Sequence, residues 1–352
     1  MDIKKLLVAA AKQKASDIHL VFGLSPAIRI DGELKSFSQE ADNTPLPLLT
    51  DLELSQAIKA LLDLEQRQRL EHDKDLDAAI AVEGFRYRAN FSFDRGHLKA
   101  AIRVVNEHQP TLEEIGMPDL VKDLLKLSQG LILVTGPTGC GKSTTLAAMI
   151  NYINSIRSSH IITLEDPIEY VFVPEKSIIS QRQLGEDMLS FGEGLKHALR
   201  QDPNVIMVGE MRDLETISTA ITLAETGHLV LATLHTYNSA QTIDRIIDIF
   251  PAYQQGQIRS QLSTILTAVI SQRLLPRLAG GRIAAREIML RNNAIANLIR
   301  ENKIAQMKTV METSIQSGMT TLDRHLKQLY QAGEISREIT LEHMEESGFL
   351  DS

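Results

Sequence analysis

The chain has a single cysteine, Cys140, in 352 residues, which excludes an intramolecular disulfide and a four-cysteine zinc site. It has no run near the roughly 20 apolar residues of a membrane span. The apolar stretch Leu6 to Ala11 between Lys5 and Lys12 is too short for the core of a signal peptide. Basic residues are not in excess, since 37 Lys and Arg against 45 Asp and Glu give a net charge of -8. That balance argues against a surface dedicated to coating nucleic acid, and no stable nucleic-acid partner is expected. There is no internal repeat and no low-complexity tail. The expectation is a soluble cytoplasmic protein whose membrane contact runs through a partner. A hydrophobic share of 43% is enough for buried cores, and the length favours two domains of about 100 to 200 residues each.

One stretch organises the rest. From Gly130 to Thr145 the sequence reads GLILVTGPTGCGKSTT. An apolar run, Leu131 to Val134, breaks at Gly136 into a glycine-rich turn, and helical spacing resumes at Leu146, Ile150 and Ile153. Strand, loop and helix in this order suit phosphate binding. The strand fixes where the loop begins, and the glycines let successive backbone N–H groups turn inward. The helix start adds its positive dipole end. The pattern G-x-x-x-x-G-K-[ST] is complete from Gly136 to Ser143. Gly136, Pro137, Thr138, Gly139, Cys140, Gly141, Lys142, Ser143 and Thr144 are therefore expected to hold ATP. Lys142 would reach the β- and γ-phosphates, and the Ser143 hydroxyl would sit on Mg²⁺. Cys140 reads as a small residue at a permissive loop position, with a redox switch as the alternative.

Residues 1–107 predict a small α+β domain. Asp51 to Leu70 has one apolar helical face, with Leu54, Ala57, Ile58, Leu61 and Leu62. Asp31-Gly32 predicts a hairpin turn. Along Phe85 to Phe93 the aromatics share one parity, and Arg86 and Arg88 share the other. That basic face, with Arg95 and Arg103, is either solvated or a contact for an anionic ligand. Gln109-Pro110 and Met117-Pro118 bracket a linker, 108–118. Residues 119–290 alternate helix and apolar strand, the pattern of a parallel sheet. Residues 291–352 read as helices interrupted near Asn302, Gly318 and Gly333.

In the parallel-sheet region the strands Ile161 to Leu164, Val205 to Val208 and His228 to Thr233 each run into polar residues. Ligands in such sheets bind beyond the carboxyl ends of strands. Glu210, expected on a strand beside the phosphate-loop strand, is the candidate for polarising water. Glu165 would hold the hydration shell of a magnesium ion or assist the base. His235 is placed to sense a γ-phosphate, and His228 is the second histidine candidate; a hydrogen-bonded core histidine is the ordinary alternative for each. No arginine of this region clearly supplies positive charge to the phosphates, so a site completed by another domain or subunit is the simpler expectation.

Four segments, TGPTGCGKSTT (135–145), ITLEDPIEY (162–170), LRQDPNVIMVGEMRDLET (199–216) and AETGHLVLATLHT (224–236), together resemble the secretion-type hexameric ATPases, in particular their type IV pilus retraction branch. ASDIHL (15–20) and FRYRANF (85–91) extend the similarity over nearly the whole chain. The resemblance implies an α/β fold, with a PAS-like N-terminal domain and a RecA-like P-loop NTPase core, assembled as a homohexamer with ATP between the domains. It implies Gly136 to Ser143 as Walker A, Glu165 in the Asp box, Glu210 as the Walker B glutamate, and His228 and His235 in the His box. It also implies phosphate contacts from N-terminal arginines, with Arg86, Arg88 and Arg103 as candidates. The partners implied are an inner-membrane, PilC-like pilus platform protein and a retraction ATPase paralogue. The segment from Ala294 to Glu301 is similar to the branch's AIRNLIRE motif, with Ala296 in place of its first arginine. An accessory paralogue, an assembly or secretion ATPase, a DNA translocase and a non-motor scaffold are the alternative readings.

Overall fold

The computed structural model describes residues 2–30, 32–38, 46–105, 109–346 and 350. Contacts divide the chain into two compact units, Met1–His108 and Gln109–Ser352, each with its own sheet and core.

The first unit runs α1 (Ile3–Lys12), β1 (Asp17–Leu20), β2 (Ala27–Ile30), β3 (Glu33–Ser36), α2 (Asp51–Lys59), α3 (Leu64–Asp73), β4 (Asp75–Val82), β5 (Phe85–Asp94) and β6 (His97–Val105). Its six strands lie in the order β3-β2-β1-β6-β5-β4, with antiparallel neighbours throughout. Alternation along β4 and β5 sends one side of each strand inward. Ile18, Tyr87, Phe91 and Ile102 are fully buried. On the other side Arg88 lies opposite Arg103, Arg103 opposite Asp17, and Asp17 opposite Arg29. Like charges directly opposed across strands destabilise a sheet. Asp17 offsets part of this by accepting a hydrogen bond from Arg103 Nε at 3.1 Å.

The expected continuous helix from Asp51 to Leu70 is instead two. Both α2 and α3 begin with a reciprocal capping box, Thr50 with Glu53 and Asp63 with Gln66. The second box starts a new helix where apolar periodicity alone continued the first. β2 and β3 pair as a hairpin, from Ile30 against Glu33, although Asp31 of its turn lies outside the described residues.

The second unit continues with α4 (Leu120–Leu124), β7 (Gly130–Thr135), α5 (Lys142–Ile156), β8 (His160–Glu165), β9 (Ile178–Gln183), α6 (Phe191–Ala198), β10 (Val205–Val208), α7 (Leu214–Glu225), β11 (Leu229–Leu234), α8 (Ser239–Asp248), α9 (Ala252–Ile265), β12 (Leu266–Pro276) and β13 (Arg282–Leu290). Then come α10 (Asn293–Arg300), α11 (Met307–Thr313), α12 (Leu322–Gln331) and α13 (Arg337–His343). Asn302, Gly318 and Gly333, where this last run breaks, all take left-handed backbone angles.

The seven-stranded sheet has the order β13-β12-β7-β11-β10-β8-β9 and is parallel except for the β12–β13 pair. Both faces are covered. Along β7, Leu131 and Leu133 join the core beneath α6 to α11, while Ile132 and Val134 join the core under α4 and α5. Every residue of β7, β10 and β11 is buried, so polar groups can gather only at the strand ends. Three strands, β9, β12 and β13, go beyond those expected. The expectation that Glu210 follows a strand adjacent to the phosphate-loop strand is also corrected. β11 pairs with both β7 and β10 and separates them.

The cross-strand pair Gln272 and Arg286 lies at the middle of the β12–β13 ladder. Arg286 is buried and donates to the carbonyls of Ile115 and Gly116 at 2.6 and 3.0 Å. It thereby fastens residues 115–116 to the sheet. Burial depresses its pKa to about 10.

Candidate active site

The loop after β7 takes its shape from three glycines with positive φ, Gly136 at 143°, Gly139 at 78° and Gly141 at 87°. Gly136 is required sterically as well. A Cβ there would stand 2.3 Å from the Gln272 carbonyl oxygen and 2.6 Å from Cys140 Sγ. The N-cap of α5 is Gly141, which has no side chain to offer. The first-turn N–H groups therefore form, with the helix dipole, a site suited to an anion. Pro137 is partly exposed, and Thr138 and Gly139 are exposed, at the mouth of the loop; Cys140 is buried. Burial raises the Cys140 pKa, the opposite of what a redox-active thiol needs. Lys142 begins α5, and its Nζ donates to the carbonyls of Gly136 and Pro137 at 2.9 and 3.0 Å. Burial lowers its pKa. Ser143 and Thr144 follow on the same first turn, both half-buried.

Beyond the carboxyl ends of β10 and β11 a chain of polar groups leads away from Lys142. Its Nζ lies 3.4 Å from Nδ1 of His235, and Nε2 of His235 lies 3.1 Å from Glu210 Oε1. An ammonium can only donate, so these partners favour the tautomer in which Nδ1 accepts and the Nε2 proton goes to Glu210. Arg212 meets Glu210 Oε2 at 2.7 Å. Burial works to raise the Glu210 pKa. The Arg212 hydrogen bond, with the Arg212 charge and the His235 hydrogen bond, outweighs this and holds the carboxyl below its ordinary value.

The backbone around Glu210 is fixed on both sides. Gly209 N donates to Leu164 O at 2.7 Å and Met211 N to Thr233 O at 3.0 Å. A Cβ at Gly209 would come within 3.1 Å of the Leu164 oxygen. The close approach of β8 and β10 here aims Glu210 back toward β11 and the loop.

Glu165 ends β8, on the far side of β10 from β11. It is 7% exposed. Its Oε1 accepts hydrogen bonds from Thr163 Oγ1 at 2.6 Å and Gln181 Nε2 at 3.1 Å. Burial raises its pKa. The same Gln181 nitrogen donates to Tyr170 O at 2.8 Å, and the Tyr170 hydroxyl lies 3.0 Å from Thr144 Oγ1. Glu165 is thus linked to the start of α5 through Gln181 and Tyr170.

The two histidines prove to be different in kind. His228 lies just before β11 and His235 just after it. His228, expected at the start of the strand, lies one residue before it, at the opposite end of β11 from the phosphate loop. There its Nδ1 lies 3.0 Å from Leu223 O and 3.2 Å from Thr226 Oγ1, within the turn from α7 to β11. Arg86, Arg88 and Arg103 belong to the first unit, on the polar side of its sheet.

Sequence reasoning missed Gln272, which is 2% exposed. Its Nε2 donates to Cys140 O at 2.7 Å, and its Oε1 accepts from Thr145 Oγ1 at 2.9 Å. The signal available was the polar triplet Ser271-Gln272-Arg273 set between the apolar stretches Ala268 to Ile270 and Leu274-Leu275. Tyr170, which closes the quoted ITLEDPIEY segment, was given no role there, and Gln181 was missed for want of any motif of its own.

Residues 1–343 match the family model described as Type II/IV secretion system protein. The type IV pilus retraction ATPase PilT of Pseudomonas aeruginosa is 48% identical over 340 residues, which cover 96% of each chain. A twitching motility protein of Neisseria gonorrhoeae is 44% identical over 96% of this chain and 88% of its own length. The type IV pilus ATPase PilU of P. aeruginosa is 38% identical over 99% of this chain and 90% of its own. The crystal structure of the pilus retraction motor PilT with bound ADP matches with a TM-score of 0.91 at 46% identity, covering 100% of this chain and 99% of the other.

Proposed function

Because the chain belongs to the Type II/IV secretion system protein family and has its RecA-like fold, we propose that it is an ATP-hydrolysing motor that retracts type IV pili and drives twitching motility. The observation that carries ATP turnover is the linked set Lys142, His235 and Glu210, which joins a complete phosphate loop to a strand-end carboxylate. Pilus retraction rests on the likeness to PilT over 96% of both chains.

In this reading the loop from Gly136 to Thr144 and the start of α5 hold the nucleotide phosphates, and Lys142 lies against the β- and γ-phosphates. Bound Mg²⁺ supplies charge neutralisation between the phosphates. Ser143 would hold it through its hydroxyl and Glu165 through water, which suits the position of Ser143 at the helix start and the carboxyl of Glu165. Glu210, kept ionised by Arg212 and His235, orients the attacking water. His235 transmits the position of Lys142 to Glu210. Arg86, Arg88 and Arg103 bring positive charge from the N-terminal domain, completing a composite site in a homohexamer. The domain assignment that goes with this is a PAS-like domain at 1–107, a linker at 108–118, an ATPase core at 119–290 and a helical region at 291–352. The motor acts from the cytoplasm on a PilC-like platform protein at the inner membrane, alone or beside a retraction paralogue.

Deletion of this gene alone in its source bacterium tests the reading, with pili per cell and surface motility as readouts and a complemented strain as control. Excess pili with lost motility is the expected outcome, and few or no pili would overturn retraction in favour of assembly. An accessory, PilU-like role has one observation of its own. Ala296, buried in α10, stands where the retraction motif carries arginine. An unchanged pilus count would favour that role.

A further inference from the structure

Gln272 is a buried amide that reaches the phosphate loop from the neighbouring strand. It comes from β12, beside β7, and is far from the loop in sequence. Both ends of its amide are used on the same short segment. Nε2 donates to the Cys140 carbonyl at 2.7 Å, and Oε1 accepts from Thr145 Oγ1 at 2.9 Å. Its own backbone carbonyl occupies the space a side chain at position 136 would need. One residue therefore contacts the first glycine of the loop, the peptide before its last glycine, and the first turn of α5.

The peptide joining Cys140 to Gly141 is the informative part. A trans peptide holds its C=O and N–H pointing in opposite directions. With the Cys140 oxygen held toward β12, the Gly141 N–H must point away from it. Gly141 has a φ of 87°, and glycine backbones turn over at little steric cost. Without a partner for its oxygen, this peptide can rotate and present a carbonyl where an anion needs a donor. We infer that Gln272 is a positioning residue for nucleotide binding, which locks the 140–141 peptide so that its N–H faces the phosphates; this rests on the nucleotide-binding role proposed above.

Three variants of the full-length chain separate the contributions. Gln272→Met keeps the size of the side chain and removes both bonds. Gln272→Glu keeps an acceptor for Thr145 but sets a carboxylate oxygen against the Cys140 carbonyl. Thr145→Val removes only the hydroxyl bond. The probe is a fluorescent methylanthraniloyl ADP with Mg²⁺, read by titration, alongside ATP turnover and nucleotide-free thermal unfolding.

Both Gln272 variants should bind the probe about tenfold or more weakly, with Glu at least as harmful as Met, and KM for ATP should rise by a similar factor while kcat stays within about threefold, the pattern of lost uniform binding. Thr145→Val should weaken binding about threefold, because the locking bond to Cys140 remains. Binding by Gln272→Met and Gln272→Glu within about twofold of the unaltered chain overturns the inference. So does a fall in kcat with unchanged binding and KM. If neither Gln272 variant folds, Gln272→Asn, one methylene too short to hold the Cys140 carbonyl, decides: weakened binding with unaltered unfolding supports the lock, and unchanged binding overturns it. Failure of the unaltered chain to bind the probe would instead overturn the proposed nucleotide site itself.

Discussion

The two ends of β11 carry the same residue type to different fates. At the amino end His228 hydrogen-bonds within a tight turn, to Leu223 O and Thr226 Oγ1. At the carboxyl end His235 joins a lysine to a carboxylate. The strand between them is wholly buried, so neither histidine could be accommodated within it without burying a polar ring. What differs is the edge on which each emerges. The carboxyl edge gathers the phosphate loop, Glu165, Glu210 and His235, because parallel strands deliver all their following loops to the same side. Identity of residue type therefore says little about role until the edge is known.

Four substitutions sharpen or break that contrast, in order of expected effect. Glu210→Gln should lower ATP turnover about a thousandfold, within the usual range for a positioned general base, with nucleotide binding retained. Steady-state kinetics with a fluorescent-ADP titration checks both; turnover near that of the unaltered chain would remove Glu210 from the mechanism. Lys142→Ala should cost about a hundredfold, the scale of losing one preorganised donor to transition-state charge, and should weaken nucleotide binding as well.

For His235→Ala the expected loss is about tenfold in turnover, a little over 1 kcal/mol of barrier, because Glu210 retains Arg212 as a partner. Full activity in this variant would break the comparison, since both histidines would then be structural. The smallest effect belongs to His228→Ala, where turnover should stay within about twofold while stability falls by about 1 kcal/mol, a typical net hydrogen bond. Chemical denaturation and the same kinetic assay distinguish the two quantities. A loss of turnover at His228 comparable to that at His235 would mean that the amino edge has a part in the chemistry.

Much of the active edge was legible because its information is local. The glycines, Lys142 and Ser143 lie in consecutive residues, and Glu210 announces itself by ending an apolar run. The order of the strands was not legible. Nothing in the sequence of β10 shows that β11, which follows it, returns to pair between β10 and β7. The helix break at Asp63 was written in the sequence as a capping box, but the apolar stripe from Leu54 to Leu62 is the stronger pattern and masks it. Gln272 could not have been found by spacing, because its partner Cys140 lies 132 residues away along the chain. The basic side of the first sheet was visible from the alternation of β5 alone, while the opposition of Arg88, Arg103 and Asp17 depends on a register that only pairing reveals.

The dependence of the loop on β12 also has a consequence in time. A ribosome adding roughly 5 to 20 residues per second exposes the phosphate loop on the order of ten seconds before the strand that closes against Gly136 has been made. A chain released in that interval has the full glycine-rich motif but lacks the wall and the amide that shape it. The competence to hold a nucleotide is therefore acquired late in synthesis, and ligand binding then rewards only chains that have been completed through this hairpin.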